Sequence, residues 1–225
     1  MISLAPSMLS ADFLHLEKDV ERVNRGADLF HLDIMDGTFV PNISFGFPVV
    51  EAIAKQATKP LDVHLMIVHP EKYVERFARA GAAMISFHVE AAGDESAAIL
   101  RQIRSLGVKA GIVANPDCPI GRLFPLLKEA DFVLIMSVFA GFGGQAFIPE
   151  SYDRIRALRA EMIRQGREIP IEVDGGVGPG NAAALAEAGA SILVAGSSVF
   201  KAADPEAAMA AMRNVDGVGV PLQMM

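Results

Sequence analysis

The stretch "FHLDIMDG", residues 30–37, places His31, Asp33 and Met35 at every second position of an otherwise aliphatic run. Residues two apart in a β-strand point the same way, so these three share one face while Leu32 and Ile34 take the other. Polar groups on a buried strand face need partners. Taken alone, the stretch reads as a hydrogen-bonded core histidine and a helix-capping aspartate. Its meaning depends on what the neighbouring strands carry.

Seven further runs of the same kind punctuate the chain: "SLAPSML" (3–9), "LDVHLMI" (61–67), "MISFHVE" (84–90), "KAGIVAN" (109–115), "FVLIMSV" (132–138), "IEVDGG" (171–176) and "ILVAGSS" (192–198), with the second strand spanning 29–35. Amphipathic stretches lie between them, among them 12–27, 70–82, 94–107 and 151–166. Several of these close on a glycine, at Gly26, Gly81, Gly107, Gly166 and Gly189, where a helix end favours a residue that tolerates a left-handed backbone. Eight βα repeats without a break in composition predict one α/β domain over residues 1–215, a single closed (β/α)8 TIM barrel rather than an open doubly wound sheet. The remaining segment, 216–225, has no helical or strand pattern and reads as a surface tail.

Composition narrows the functional classes. The 225 residues carry 20 Lys and Arg against 27 Asp and Glu, a formal charge of −7, which supplies no basic stripe for nucleic acid. Charges interrupt every long apolar run, so no membrane span is expected. The first ten residues, "MISLAPSMLS", lack the basic and apolar regions of a cleaved signal peptide. Cys118 is the only cysteine, which suits a reducing, cytoplasmic setting.

In a (β/α)8 barrel the reactive groups gather at the C-terminal ends of the strands. Strand two ends with His31 and Asp33, strand three with His64 and strand seven with Asp174, so these four side chains are expected to converge. Two imidazoles and two carboxylates suit one divalent ion of the Zn2+, Fe2+, Mn2+ or Co2+ type. Met35, Met66 and Met136 fall at matching strand ends and would form an apolar collar that excludes water. Three glycine-bearing loops follow the last strands: "GFGGQ" with Gly141, Phe142, Gly143 and Gly144, "DGG" with Gly175 and Gly176, and "GSS" with Gly196 and Ser197. Glycines let backbone N–H groups approach an anion, and barrels commonly bind phosphate after their last strands.

The segments "LAPSMLSADF", "HLDIMDGTFVPN", "DVHLMI", "GFGGQAFIP", "EVDGGV" and "VAGSSVF" together resemble the ribulose-phosphate 3-epimerase family over about residues 2–213. The resemblance implies that His31, Asp33, His64 and Asp174 bind the metal and that Asp33 and Asp174 are acid and base. It further implies that Ser7 touches substrate and that Gly143, Gly144, Gly175, Gly176, Gly196 and Ser197 hold its phosphate. The expected reaction interconverts D-ribulose 5-phosphate and D-xylulose 5-phosphate, a step of the pentose phosphate pathway. It needs two groups flanking C3 and a Lewis acid for the enediolate, with no organic cofactor.

One departure bears on substrate. The family usually has an acidic or amide residue and then proline before "GFGGQ", where this chain has Phe139 and Ala140. Losing proline frees a backbone angle at the start of the loop. The change leaves open a related ketose phosphate such as D-allulose 6-phosphate, and a barrel that binds a sugar phosphate without turnover is the third reading. His88 is expected to be a hydrogen-bonded structural histidine. Glu172, on the face of Asp174, reads as support for a ligand histidine or as one half of a buried ion pair. His15 and His69 should face solvent, and Cys118 should be inert. The subunit count is open, a homo-oligomer included.

Overall fold

The computed structural model describes residues 2–222; residue 1 and residues 223–225, the end of the expected tail, lie outside the described residues. Its eight strands are β1 (Ser3–Pro6), β2 (Phe30–Met35), β3 (Leu61–Met66), β4 (Ala82–His88), β5 (Lys109–Ala114), β6 (Phe132–Met136), β7 (Ile171–Asp174) and β8 (Ile192–Ala195). All pairs are parallel, each strand from β2 to β7 pairs with the next, and β8 pairs with β1. The gap between β1 and β2 is narrowed by a parallel bridge at Ser7 and His31 and by the Leu29 N–H, which donates to the Leu4 carbonyl at 3.2 Å. The result is the (β/α)8 barrel that the repeats predict.

Several strands stop short of their expected ends. β1 was expected to reach residue 9 but ends at Pro6, because the Ser10 N–H folds back to the Ser7 carbonyl (3.1 Å) and Met8–Ser10 forms a tight turn. β7 ends at Asp174 because Gly175 and Gly176 take φ values of 121° and 62°. β8 ends at Ala195, and a helical turn begins at Ser197. The connection between β5 and β6 holds only two short turns, Ile120–Arg122 and Phe124–Leu126. Pro119 and Pro125 remove N–H donors there and restrict the residues before them.

The helices Leu16–Gly26, Val74–Arg79, Ser96–Ser105 and Ser151–Gln165 occupy the amphipathic stretches and cover the barrel's outer face. Gly81, Gly107, Gly166 and Gly189 adopt the positive φ expected after a helix. Gly26 does not. It lies inside its helix, and its small size serves packing, since an added Cβ would stand 2.3 Å from Cε of Met209.

Strand alternation divides the barrel into two chemical environments. Outward side chains such as Leu32, Val63, Ile85, Val133 and Leu193 join the helices in the main core. Inward ones first form an apolar floor of Ala5, Leu29, Met84, Phe132, Ile192 and Val194. Nearer the C-terminal ends of the strands come buried polar groups, among them His31, Asp33, Asp62, His64, His88 and Glu172. Residues 214–222 have neither helix nor strand; the Val218 N–H donates to the Ala186 carbonyl (3.2 Å), and Leu222 packs on the floor. Among the described residues no helix is long and apolar enough to cross a membrane.

The floor depends on Gly111 making room for Phe132: a Cβ there would stand 2.3 Å from the ring's Cζ. Gly111→Ala should therefore cost about 1–3 kcal/mol by overpacking. Gly26→Ala should cost less, because the flexible end of Met209 can swing away and alanine favours the helix by up to ~1 kcal/mol. Urea denaturation checks the order; equal or reversed losses would contradict a tightly filled floor.

Candidate active site

Register brings the inward side chains of β2 and β3 side by side, His31 opposite Asp62, Asp33 opposite His64 and Met35 opposite Met66. β7 adds Asp174 next to Met136 of β6. Asp33 lies at the centre: its Oδ1 is 3.4 Å from Nε2 of His31 and 3.4 Å from Nδ1 of His64, and its Oδ2 accepts the Ser7 hydroxyl at 2.5 Å. Nδ1 of His64 is also 4.0 Å from Oδ2 of Asp174. One ligand atom from each of His31, Asp33, His64 and Asp174 lies within 4.8 Å of all the others.

The remaining ring nitrogens are engaged elsewhere. Nδ1 of His31 hydrogen-bonds Oδ2 of Asp62 at 2.6 Å, and Nε2 of His64 lies 2.9 Å from Nε2 of His88. The two nitrogens that face the cluster, His31 Nε2 and His64 Nδ1, are buried and have no hydrogen-bond partner among the described residues. Two partnerless imidazole nitrogens beside two carboxylates are a donor set that fits one divalent cation.

Electrostatics sharpens the arrangement. Burial pulls the His31 imidazole down, but the charges of Asp33 and Asp62 outweigh it and hold its pKa well above the usual histidine value. Burial likewise opposes ionisation of Asp33, yet the charge of His31 and the adjacent His31 and His64 nitrogens hold that carboxyl far below the usual range. Burial, reinforced by the charge of Asp33, pushes Asp174 up to about 7. Burial brings His64 down to about 4. Glu172 is pushed well above the usual value by burial and by the charge of Asp62, and its Oε1 lies 3.5 Å from Nδ1 of His31. Two carboxyls shifted in opposite directions, Asp33 down and Asp174 up, thus lie together in a single cleft.

That cleft opens at the C-terminal end of the barrel. Asp33 and Asp174 line it, with Met35, Met66 and Met136 around them and Ser7 at one side. The far wall is the glycine loops, Gly141 to Gly144, Gly175, Gly176, Gly196 and Ser197. His31 and His64 lie behind this surface, fully buried. The backbone N–H groups of Gly144, Gly176 and Ser197 make no hydrogen bond among the described residues. Gly176 has no room for a side chain, since an added Cβ would stand 2.4 Å from the Phe147 nitrogen. Gln145 ties the first loop into a ring by donating to the Phe139 and Phe142 carbonyls at 2.7 and 2.8 Å. Phe139 and Phe142 are half exposed at the mouth, and the Ala140 N–H donates to Oδ1 of Asn115 at 3.2 Å, a bond proline cannot make.

Every candidate catalytic, substrate-binding and metal-ligating residue read from the sequence thus lies in or directly behind one cleft. His15 and His69 are exposed, and Cys118 is buried beside Arg122, with burial raising its thiol. Asp62 and Ser10 escaped the sequence reading. Asp62 shares a strand face with His64 and Met66, so the two-residue period already marked it. Ser10, whose Oγ closes against Gly196, is placed by a turn that no periodicity announces.

Fold and site define an enzyme: a (β/α)8 barrel with paired carboxylates at its catalytic end. A model described as the ribulose-phosphate 3 epimerase family matches residues 3–200, and the chain belongs to that family of isomerases. It is 53% identical over 215 residues to the ribulose-phosphate 3-epimerase of Synechocystis sp., covering 95% of this chain and 94% of the relative. The Bacillus subtilis ribulose-phosphate 3-epimerase is 44% identical over 215 residues, 95% and 99% covered. The rice protein named ribulose-phosphate 3-epimerase, cytoplasmic isoform, is 43% identical over 219 residues, 95% and 94% covered. A 3-hexulose-6-phosphate synthase structure, 20% identical, superposes with a TM-score of 0.68 over 94% of this chain and 98% of that one, a likeness of fold.

The raised carboxyl of Asp174 makes a testable statement about stability. Between the unfolded value near 3.8 and the folded value of about 7, the folded state keeps a proton that the unfolded state has released. The stability contributed by this group is therefore present below about pH 4 and is lost as pH rises toward 7. Asparagine has no proton to lose. In chelator-treated protein, Asp174→Asn should gain melting temperature relative to the parent between pH 4 and pH 7. An offset that stays flat with pH would show that Asp174 titrates normally.

Proposed function

We propose that the protein is a ribulose-phosphate 3-epimerase that moves the C3 proton of D-ribulose 5-phosphate between Asp33 and Asp174. The observation that carries this reading is the convergence of two carboxyls from separate strands, Asp33 of β2 and Asp174 of β7, in one cleft. Epimerisation next to a ketone requires a base on one face of the carbon and an acid on the other. Asp33, held ionised by its histidine neighbours, is the base for one direction; Asp174, whose carboxyl burial pushes up to about 7, is the acid. The roles exchange in reverse. A divalent cation on His31, Asp33, His64 and Asp174 would polarise the ketone as a Lewis acid and pull Asp174 toward its ionised form.

The rest of the cleft supports the same substrate. Ser7 already donates to Asp33, so it can orient that carboxylate and meet a sugar hydroxyl. The methionines keep water from the reacting carbon without competing strongly as ligands. The free N–H groups of Gly144, Gly176 and Ser197 suit a phosphate dianion. We place the enzyme in the cytoplasm, like the rice relative whose name says so.

Turnover of D-ribulose 5-phosphate in D2O should give D-xylulose 5-phosphate carrying solvent deuterium at C3. Product without deuterium would refute proton transfer through the enzyme, and no product would refute the substrate. Asp174→Asn should lower turnover by roughly 10^2- to 10^4-fold. If the metal content matches the parent, one epimer should still exchange its C3 hydrogen through Asp33. Parent-level turnover by that variant would remove Asp174 from the reaction. Free ribulose should be a poor substrate in kcat/KM, because the phosphate's binding energy is lost at the transition state. Equal efficiency for the two sugars would refute the phosphate cradle.

A further inference from the structure

Ser7 and Ser10 stand at the two ends of one tight turn. The Ser10 N–H donates to the Ser7 carbonyl at 3.1 Å across Met8–Ser10. Side chains three apart eclipse one another in a turn of this kind, so both hydroxyls lie on one side of it, about 6 Å apart along its axis. They flank the same residue: an added Cβ at Gly196 would stand 2.6 Å from Oγ of Ser10 and 3.8 Å from Cβ of Ser7. Ser10 also reaches the loop after β6, its Oγ lying 3.5 Å from the place a Cβ would take on Gly143. The two hydroxyls differ in their commitments. Ser7 is buried and donates to Asp33. Ser10 is partly exposed, lines the cleft, and makes no hydrogen bond through its Oγ among the described residues.

We propose that Ser10 is a substrate-binding residue whose hydroxyl donates to the phosphate of the bound ketose phosphate. Its Oγ sits between the glycine loops that follow β6 and β8, where the N–H groups of Gly144 and Ser197 are also unpaired among the described residues. A dianion held there accepts hydrogen bonds from several directions, and a rotatable hydroxyl adds a donor beside the fixed backbone ones. The turn also sets a spacing. Ser7 reaches the carboxylate at the reacting carbon, and the more exposed Ser10 stands one turn further toward the mouth, as the phosphorus of the substrate stands beyond C4, C5 and the bridging oxygen from C3. The inference rests on the phosphate cradle described above and adds a side-chain donor to it.

Ser10→Ala removes the hydroxyl without breaking a side-chain bond inside the protein, so its melting temperature should match the parent's. Its kcat/KM for D-ribulose 5-phosphate should fall about 10- to 100-fold, the range for one lost hydrogen bond to a charged group. The preference for the phosphorylated over the free sugar should fall by the same factor, and inorganic phosphate should become a weaker competitive inhibitor. Ser10→Asp turns a carboxylate toward the dianion, so it should lose more than Ser10→Ala and should no longer be inhibited by inorganic phosphate. Equal losses for the two sugars would put the hydroxyl on the sugar chain and overturn the phosphate assignment. Parental preference in Ser10→Ala, or parental phosphate inhibition in Ser10→Asp, would overturn it as well, and a lowered melting temperature with that preference intact would make the residue structural. These outcomes count against Ser10 alone when the parent prefers the phosphorylated sugar; a parent without that preference removes the cradle, and the Ser10 assignment falls with it.

Discussion

A carboxylate in the closed interior of a barrel must be surrounded by donors or positive charge, because removing it from water costs several kcal/mol. Asp33 meets this demand with Ser7 from the end of β1, His31 from its own strand and His64 from β3. Those partners also close the ring. Ser7 and His31 form the bridge across the gap between β1 and β2, so joining the barrel and neutralising Asp33 are one structural event. The apolar floor beneath does not supply this directionality; it fills space, and the polar groups above it fix which strands must meet.

The same constraint explains how much was legible beforehand. A two-residue period on a strand face is a local property, and it marked His31, Asp33, His64, Met35, Met66, Met136 and Asp174 as inward-facing near the C-terminal ends of their strands. Helix stops at Gly81, Gly107, Gly166 and Gly189 were legible for the same local reason, a need for positive φ. Gly26 was misread because its constraint is tertiary, the approach of Met209 from a helix 183 positions away in sequence (209 against 26). Strand ends at Pro6, Asp174 and Ala195 were set by turns whose hydrogen bonds no apolar pattern records.

Which nitrogen of each histidine faces the cluster was likewise beyond the sequence. It depends on the atom across from the ring's other side, Oδ2 of Asp62 in one case and Nε2 of His88 in the other. Strand alternation gives the face of a ring but not its rotation. The ionisation of Asp174 is similar: its sequence neighbourhood is two glycines and a valine, and the shift arises from burial and from Asp33, which stands on a strand three positions away around the barrel.

The Ala140 hydrogen bond to Asn115 gives this chain something that a proline at that place would deny it. The amide sits at the stem of the loop that walls the cleft, and its partner Asn115 is itself joined through its N–H to Glu90. Its proton can leave for solvent only when the stem parts from the strand-five loop. The exchange rate of that one amide is therefore a built-in clock for loop opening, readable without a label and without substrate.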